Sequence, residues 1–141
     1  MFYNRKNITL EALNKMFENT MASHLGMEVT EIGDDYLIVK MPVDERTKQS
    51  YGMLNGGASL ALAETVGSLA ANLAVMPEKA CFGLDINGNH IRAARGGYVH
   101  GKASPLHIGS TTHVWEIKIT DDHEKLICIA RLTMAIVDKK L

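Results

Sequence analysis

Glu64 is the residue of this chain best placed to do chemistry. It stands in the run from Gln49 to Met76, QSYGMLNGGASLALAETVGSLAANLAVM, where the nearest other charged residues are Lys48 and Glu78. At about 100° per residue, a helix through this run sets Leu62, Val66, Leu69 and Leu73 on one stripe and Gly57, Ala61, Glu64, Ser68 and Ala71 on another. The bulky stripe asks for a core, and the small stripe lets a second backbone or a thin ligand approach. Glu64 is therefore expected in a confined place, where a carboxylate has a raised pKa or finds a partner, as a general base or nucleophile requires. The competing reading is a Glu on a solvated face, although such a face normally carries several charges.

Asn55-Gly56-Gly57 at the entry to this helix adds a second element. Residues without bulk leave the unpaired N–H groups and the positive end of the dipole facing outward, where they can hold an oxyanion. By itself Gly-Gly before a helix is equally a cap or a tight turn. The polar stretch Asp44 to Leu54 leads straight into it and carries Gln49. It is either a mobile connection or an active-site loop, and a loop of this length usually has a reason.

Taken together, the pattern from Gly52 to Ser68, GMLNGGASLALAETVGS, resembles the helix signature of the hotdog-fold acyl-CoA thioesterases. The nearest branch holds the Arthrobacter-type 4-hydroxybenzoyl-CoA, enterobactin-proofreading and 1,4-dihydroxy-2-naphthoyl-CoA thioesterases. The resemblance continues through GLDINGNHIRAAR (Gly83 to Arg95), PLHIGS (Pro105 to Ser110) and ARLTMAIV (Ala130 to Val137), nearly the whole chain. It implies that Glu64 is the nucleophile or general base and that the Gly56 N–H polarises the thioester carbonyl. It also implies that Gln49, Asn55 and Ser68 sit beside the reacting group. His90, Ile91, Arg92 and Ala93 would contact the CoA part of the substrate, as would Gly83 and His107, Ile108, Gly109 and Ser110. Asn55 departs from the family, which usually has His there. A hydrogen-bonding side chain is kept and an imidazole is lost.

The elements that must position these residues follow from pattern. Thr9 to Asn19 reads as a short helix with Thr9 as its N-cap, and Thr20 to Leu25 as a further turn. Val29 to Met41 reads as a hairpin around Gly33-Asp34-Asp35. After the long helix, Cys81 to Ile91, Tyr98 to Leu106, Thr111 to Thr120 and Lys125 to Val137 read as a four-strand meander. In the first of these, Gly88 is expected to mark a bulge or a close approach. The fold class is thus α+β, an antiparallel sheet of about six strands wrapped around one long helix, the hotdog fold, as a single domain over residues 1–141.

Composition closes several doors. A chain of 141 residues with net charge −1 carries no electrostatic footprint for nucleic acid. Cys81 and Cys128 are far apart and read as small buried residues, and the six histidines show no metal-binding spacing, so no metal and no cofactor beyond substrate CoA are expected. With no signal peptide, no apolar run of membrane-spanning length and no lipidation motif, a cytoplasmic place away from membranes is expected. Arg92, Arg95, Lys102 and His107 would form a cationic rim for the CoA phosphates, or an ordinary basic surface.

The reading is an acyl-CoA thioesterase, with aromatic acyl groups favoured by the resemblance and medium chains also fitting the small stripe. The resemblance adds a homodimer paired through the Gly83 to Arg95 strand, and a dimer of dimers beyond it. Two rivals stand: a non-catalytic or impaired acyl-CoA binding protein, for which Asn55 is the argument, and an acyl-thioester hydratase or dehydratase, which would want a His acting with an acid.

Overall fold

A computed structural model describes Phe2 and residues 7–139; the expected domain limits at residues 1 and 141 lie outside the described ones. In chain order it has α1 (Leu10–Lys15), α2 (Met21–His24), β1 (Glu28–Ile32), β2 (Leu37–Pro42), α3 (Gly56–Val75), β3 (Lys79–His90), β4 (Tyr98–Ile108), β5 (Thr112–Asp121) and β6 (Leu126–Asp138). The strands make one antiparallel sheet in the order β1-β2-β4-β5-β6-β3, with α3 packed on one face. This is the α+β hotdog arrangement expected from the pattern.

Local chemistry explains the elements. Thr9 caps α1, its hydroxyl accepting from the Ala12 N–H at 3.1 Å. Asn55 caps α3 in the same way, and α3 ends just before Pro77. Along β5, His113, Trp115, Ile117 and Ile119 are buried while Lys118 between them is exposed, so alternation builds a sheet with one dry face. Leu62, Val66, Leu69 and Leu73 of α3 are buried against that face together with Leu37, Val39 and Leu132, so the bulky stripe does find its core.

The meander expectation needs correction. Of the four strands after α3, only β4, β5 and β6 are consecutive neighbours; β3 pairs with β6 at the far edge of the sheet, and the chain crosses from His90 to Tyr98 to begin β4 beside β2. Hairpin turns specify which strands follow one another, whereas a seven-residue connection leaves the next pairing open. The bulge in β3 also lies between Gly83 and Asp85 rather than at Gly88. Gly88 is instead the close approach: a Cβ there would meet Leu60 Cδ2 at 2.7 Å. β3 is therefore an edge strand, not a central one, and it exposes Phe82 and Leu84, each 63% accessible.

Helix α3 runs along this edge strand in the opposite direction. Gly56 lies beside His90, Leu60 over Gly88, Glu64 over Gly83, and Asn72 beside Cys81. The last contact is a clamp, in which the Asn72 side chain accepts from the Cys81 N–H at 2.8 Å and donates to the Cys81 carbonyl at 3.2 Å. The same amide also donates to the Ser68 carbonyl at 2.8 Å. By length and composition α3 is long and apolar enough to cross a membrane, contrary to the sequence expectation; half of the qualifying window is buried on the sheet, which marks it as a core helix.

Replacing Asn72 by Leu leaves the Cys81 N–H and C=O without that partner at a half-buried position. The variant is expected to lose about 1–3 kcal/mol in urea-induced unfolding, and an unchanged midpoint would remove the clamp from the account of stability.

Candidate active site

The loop before α3 is folded onto the protein by its own polar groups. Thr47 Oγ1 donates to the Pro42 carbonyl at 2.7 Å, and Asp44 pairs with the Arg46 guanidinium at 2.7 Å, which holds its carboxyl below the usual carboxylate range. Leu54 N–H donates to the Ala94 carbonyl and Asn55 N–H to the Thr47 carbonyl, both at 2.8 Å. These bonds tie residues 44–55 to the Ile91 to Gly97 crossover and so bring Gln49 to the start of α3.

The result is a cavity of about 310 Å³ lined by Gln49, Gly56, His90, Ile91, Arg92 and Ala93. Six predicted residues from three separate stretches thus meet in one place. Gln49 Oε1 accepts from the Tyr51 N–H at 2.5 Å, which leaves the amide NH2 of Gln49 available to a bound group. The His90 ring stands against Gly56, where a Cβ would come within 2.8 Å of Nε2. Among the described residues the Gly56 N–H has no hydrogen-bond partner, while the next N–H, that of Gly57, is taken by Asn55 Oδ1 at 2.7 Å. A half-buried, unpaired N–H at the positive end of a 20-residue helix can hold a carbonyl oxygen that gains negative charge.

Glu64 is not in this cavity. It lies two turns further along α3, about 12 Å by helical rise, with its carboxylate against Gly83 and no hydrogen bond or ion pair among the described residues. Its side of α3 overhangs the edge of the sheet, so one chain leaves it exposed and the expected confinement is not met within a single chain. Ser68 is one turn on, as expected, and its hydroxyl approaches Met134 Sδ at 3.8 Å.

His107 and Ile108 end β4, and Gly109 and Ser110 open the turn to β5, where Gly109 N–H donates to the Thr112 carbonyl at 2.9 Å. The pairing of Gly83 with Met134, and of Met134 with His113, puts this turn at the Glu64 end of the sheet. His90 pairs with Cys128 at the other end. The predicted substrate contacts are therefore split between two ends, seven residues or about 23 Å apart along β3. The cationic rim is split too, since Lys102 stacks its ammonium on Tyr36 at 4.3 Å and is not near Arg92.

No group of three or more metal-ligating side chains occurs among the described residues. Cys81 and Cys128 are both free and buried, and burial pushes the Cys81 thiol up to about 11, so neither suits nucleophilic work.

Residues 51–128 match the model of the Thioesterase superfamily. The chain belongs to that family. It is 51% identical to the 1,4-dihydroxy-2-naphthoyl-CoA hydrolase of Escherichia coli strain K12 over 137 residues, 97% of this chain and 100% of that one. It is 44% identical to a proofreading thioesterase of Cronobacter turicensis, over 94% of this chain and 97% of that one. Among solved structures, a thioesterase from Haemophilus influenzae matches with a TM-score of 0.95 at 44% identity, covering 100% of this chain and 98% of that one. Thioester hydrolysis is the chemistry of the thioesterase family to which the fold and the sequence both assign the chain.

Leu54, Ser59 and Ile127 also line the cavity, and the sequence reading missed them. Ser59 had a signal, being one turn past the cap on the face of Gly56; Ile127 had none, because only the β3–β6 pairing brings it there.

Asn55 is a working cap for α3, its Oδ1 accepting from the Gly57 N–H at 2.7 Å. Asn55→Ala is expected to lower stability by about 1 kcal/mol, with Asn55→Asp close to the parent, as read by thermal melting; equal melts for all three would show that the Asn55–Gly57 bond contributes nothing.

Proposed function

We propose that the chain hydrolyses an acyl-CoA thioester to the free acid and CoA, in sites formed between two copies of the chain. The observation that carries this reading is the unpaired Gly56 N–H, which shares a cavity with Gln49 and His90 while the only nearby acid on the helix is two turns away. Gly56 and Glu64 of one chain cannot act on the same carbonyl at that separation. A two-fold axis perpendicular to the sheet, beside the middle of β3, would continue the sheet through that strand and bring the Gly83 end of one copy against the His90 end of the other. Glu64 of the partner subunit then faces Gly56, and the exposed Phe82 and Leu84 are covered. The unpaired edge of a 12-residue strand supports this pairing, because such an edge otherwise invites uncontrolled association.

In this site the Gly56 N–H and the Gln49 amide hold the thioester oxygen. Glu64 of the partner subunit attacks the carbonyl or takes a proton from water, and Ser68 lies on the acyl side. The CoA thiolate is a good leaving group, so a site with one carboxylate and neutral donors suffices. Arg92 and the His90 to Ala93 segment take the pantetheine and phosphate end. Substrate preference for an aromatic acyl group is supported by the relative from Escherichia coli, whose substrate is a naphthoyl-CoA. Pairs of such dimers are the further assembly that the resemblance suggests.

Thiol release from benzoyl-CoA and a medium-chain acyl-CoA tests the proposal. Glu64→Ala should lose at least about 10²–10⁴ in kcat with folding intact, and Asn55→His reports what the missing imidazole is worth. A parent that binds both esters without turnover would select the binding-protein reading. Mixing Glu64→Ala with Gln49→Ala chains should restore turnover that neither has alone; failure to do so would place both groups in one chain. Leu84→Asp should run as a single chain in light scattering and lose activity with its partner.

A further inference from the structure

His113 is a buried polar residue that nothing above uses. It and Trp115 are both fully enclosed on β5. The Trp115 Nε1–H donates to His113 Nδ1 at 3.2 Å. An indole N–H is a donor only, so Nδ1 is the acceptor and the proton of the neutral ring resides on Nε2. Burial, and then the neighbouring His107, hold His113 below the usual imidazole range, which keeps the ring neutral. Among the described residues, His113 Nε2 is the one buried side-chain nitrogen or oxygen with no partner. Unpaired buried donors are uncommon, and each asks for an explanation.

Its place supplies one. Gly83, Met134 and His113 are directly opposed across β3, β6 and β5, so they point to the same face of the sheet. Above that row, α3 holds the Glu64 carboxylate over Gly83 and the Ser68 hydroxyl over Met134 Sδ. From the Glu64 side inward, the row passes first Ser68 and Met134 and then His113, two strand spacings or about 10 Å from Gly83.

We propose that His113 is the inner end of the acyl pocket and donates its Nε2–H to an oxygen at the far end of the acyl group. The inference rests on Glu64 and Ser68 marking the acyl side of the site. Met134, unbranched and flexible, stands between and turns aside as the acyl group enters. An acyl group with a distal oxygen satisfies the donor, and one without it leaves the donor buried and unpaired. His113 is thus a specificity residue, selecting among thioesters by their far end and not by the reacting carbonyl.

The experiment compares 4-hydroxybenzoyl-CoA with benzoyl-CoA on the parent, His113→Leu and His113→Gln, with folding checked by circular dichroism. The ratio of kcat/KM for the two esters should favour the hydroxylated one in the parent, fall about tenfold in His113→Leu and be kept by His113→Gln, whose amide restores an N–H. A ratio unchanged in His113→Leu, or lost equally in both variants, overturns the assignment. If the parent hydrolyses neither ester, the thioesterase reading fails separately. The same three proteins are then compared by calorimetric binding of the inert thioethers 4-hydroxyphenacyl-CoA and phenacyl-CoA. There the preference must again follow the N–H at position 113, and a preference independent of it overturns the proposal.

Discussion

The fit of helix α3 along strand β3 is the constraint on which the rest depends. Two glycines of the strand face it, with the tip of the Glu64 side chain lying on Gly83 and that of Leu60 on Gly88. The helix lies close enough for Gly56 to meet His90 and for Asn72 to clamp Cys81. One face of α3 is thereby committed to the core through Leu62, Val66, Leu69 and Leu73. Its small side is left along the sheet edge, with Glu64 and Ser68 on it. Helix–strand packing and the siting of the acid are linked, because the carboxylate lies on Gly83 of the strand.

The same fit leaves the protein incomplete as a single chain. An edge strand of 12 residues carrying Phe82 and Leu84 in the open, and a helix N-terminus about 12 Å from its own acid, both look for a second surface. On the proposed reading one two-fold axis meets both needs, since an antiparallel pairing through β3 reverses the direction of α3 as well. Sheet continuation and site assembly would then be a single event. Activity would depend on association without any conformational change within the chain.

Position 55 shapes the entry to the helix through its cap. The Asn55 side-chain Oδ1 is engaged by the Gly57 N–H, and Asn is among the strongest helix caps. The backbone at Gly56 is therefore held by a bond internal to the loop and helix, with the adjacent N–H left for a ligand. Asn55 itself is not among the residues lining the cavity of Gln49, Gly56 and His90, contrary to its expected place beside the reacting group; it lines a separate depression with Met21, Leu25 and Arg46, because its side chain turns back to cap the helix.

Read alone, the sequence determined the local elements and the family. Thr9, Asn55 and Pro77 mark helix limits, alternation marks the strands, and a lone Glu on a small-residue stripe marks the acid. These are short-range signals, each written in side-chain type and spacing within one or two turns of chain. The burial of the two cysteines and the meeting of Gln49, Gly56 and His90 to Ala93 were legible too, the latter through the resemblance. Only the tertiary structure decided that β3 leaves the meander to form the edge, that its bulge falls before Asp85, and that Glu64 is open to solvent in a single chain. It alone put the His107 to Ser110 turn at the far end from His90, and enclosed His113 with one nitrogen unpaired. Each of these is a pairing between residues distant in the chain. Strand periodicity fixes which face a side chain takes, but not which neighbour lies beyond it.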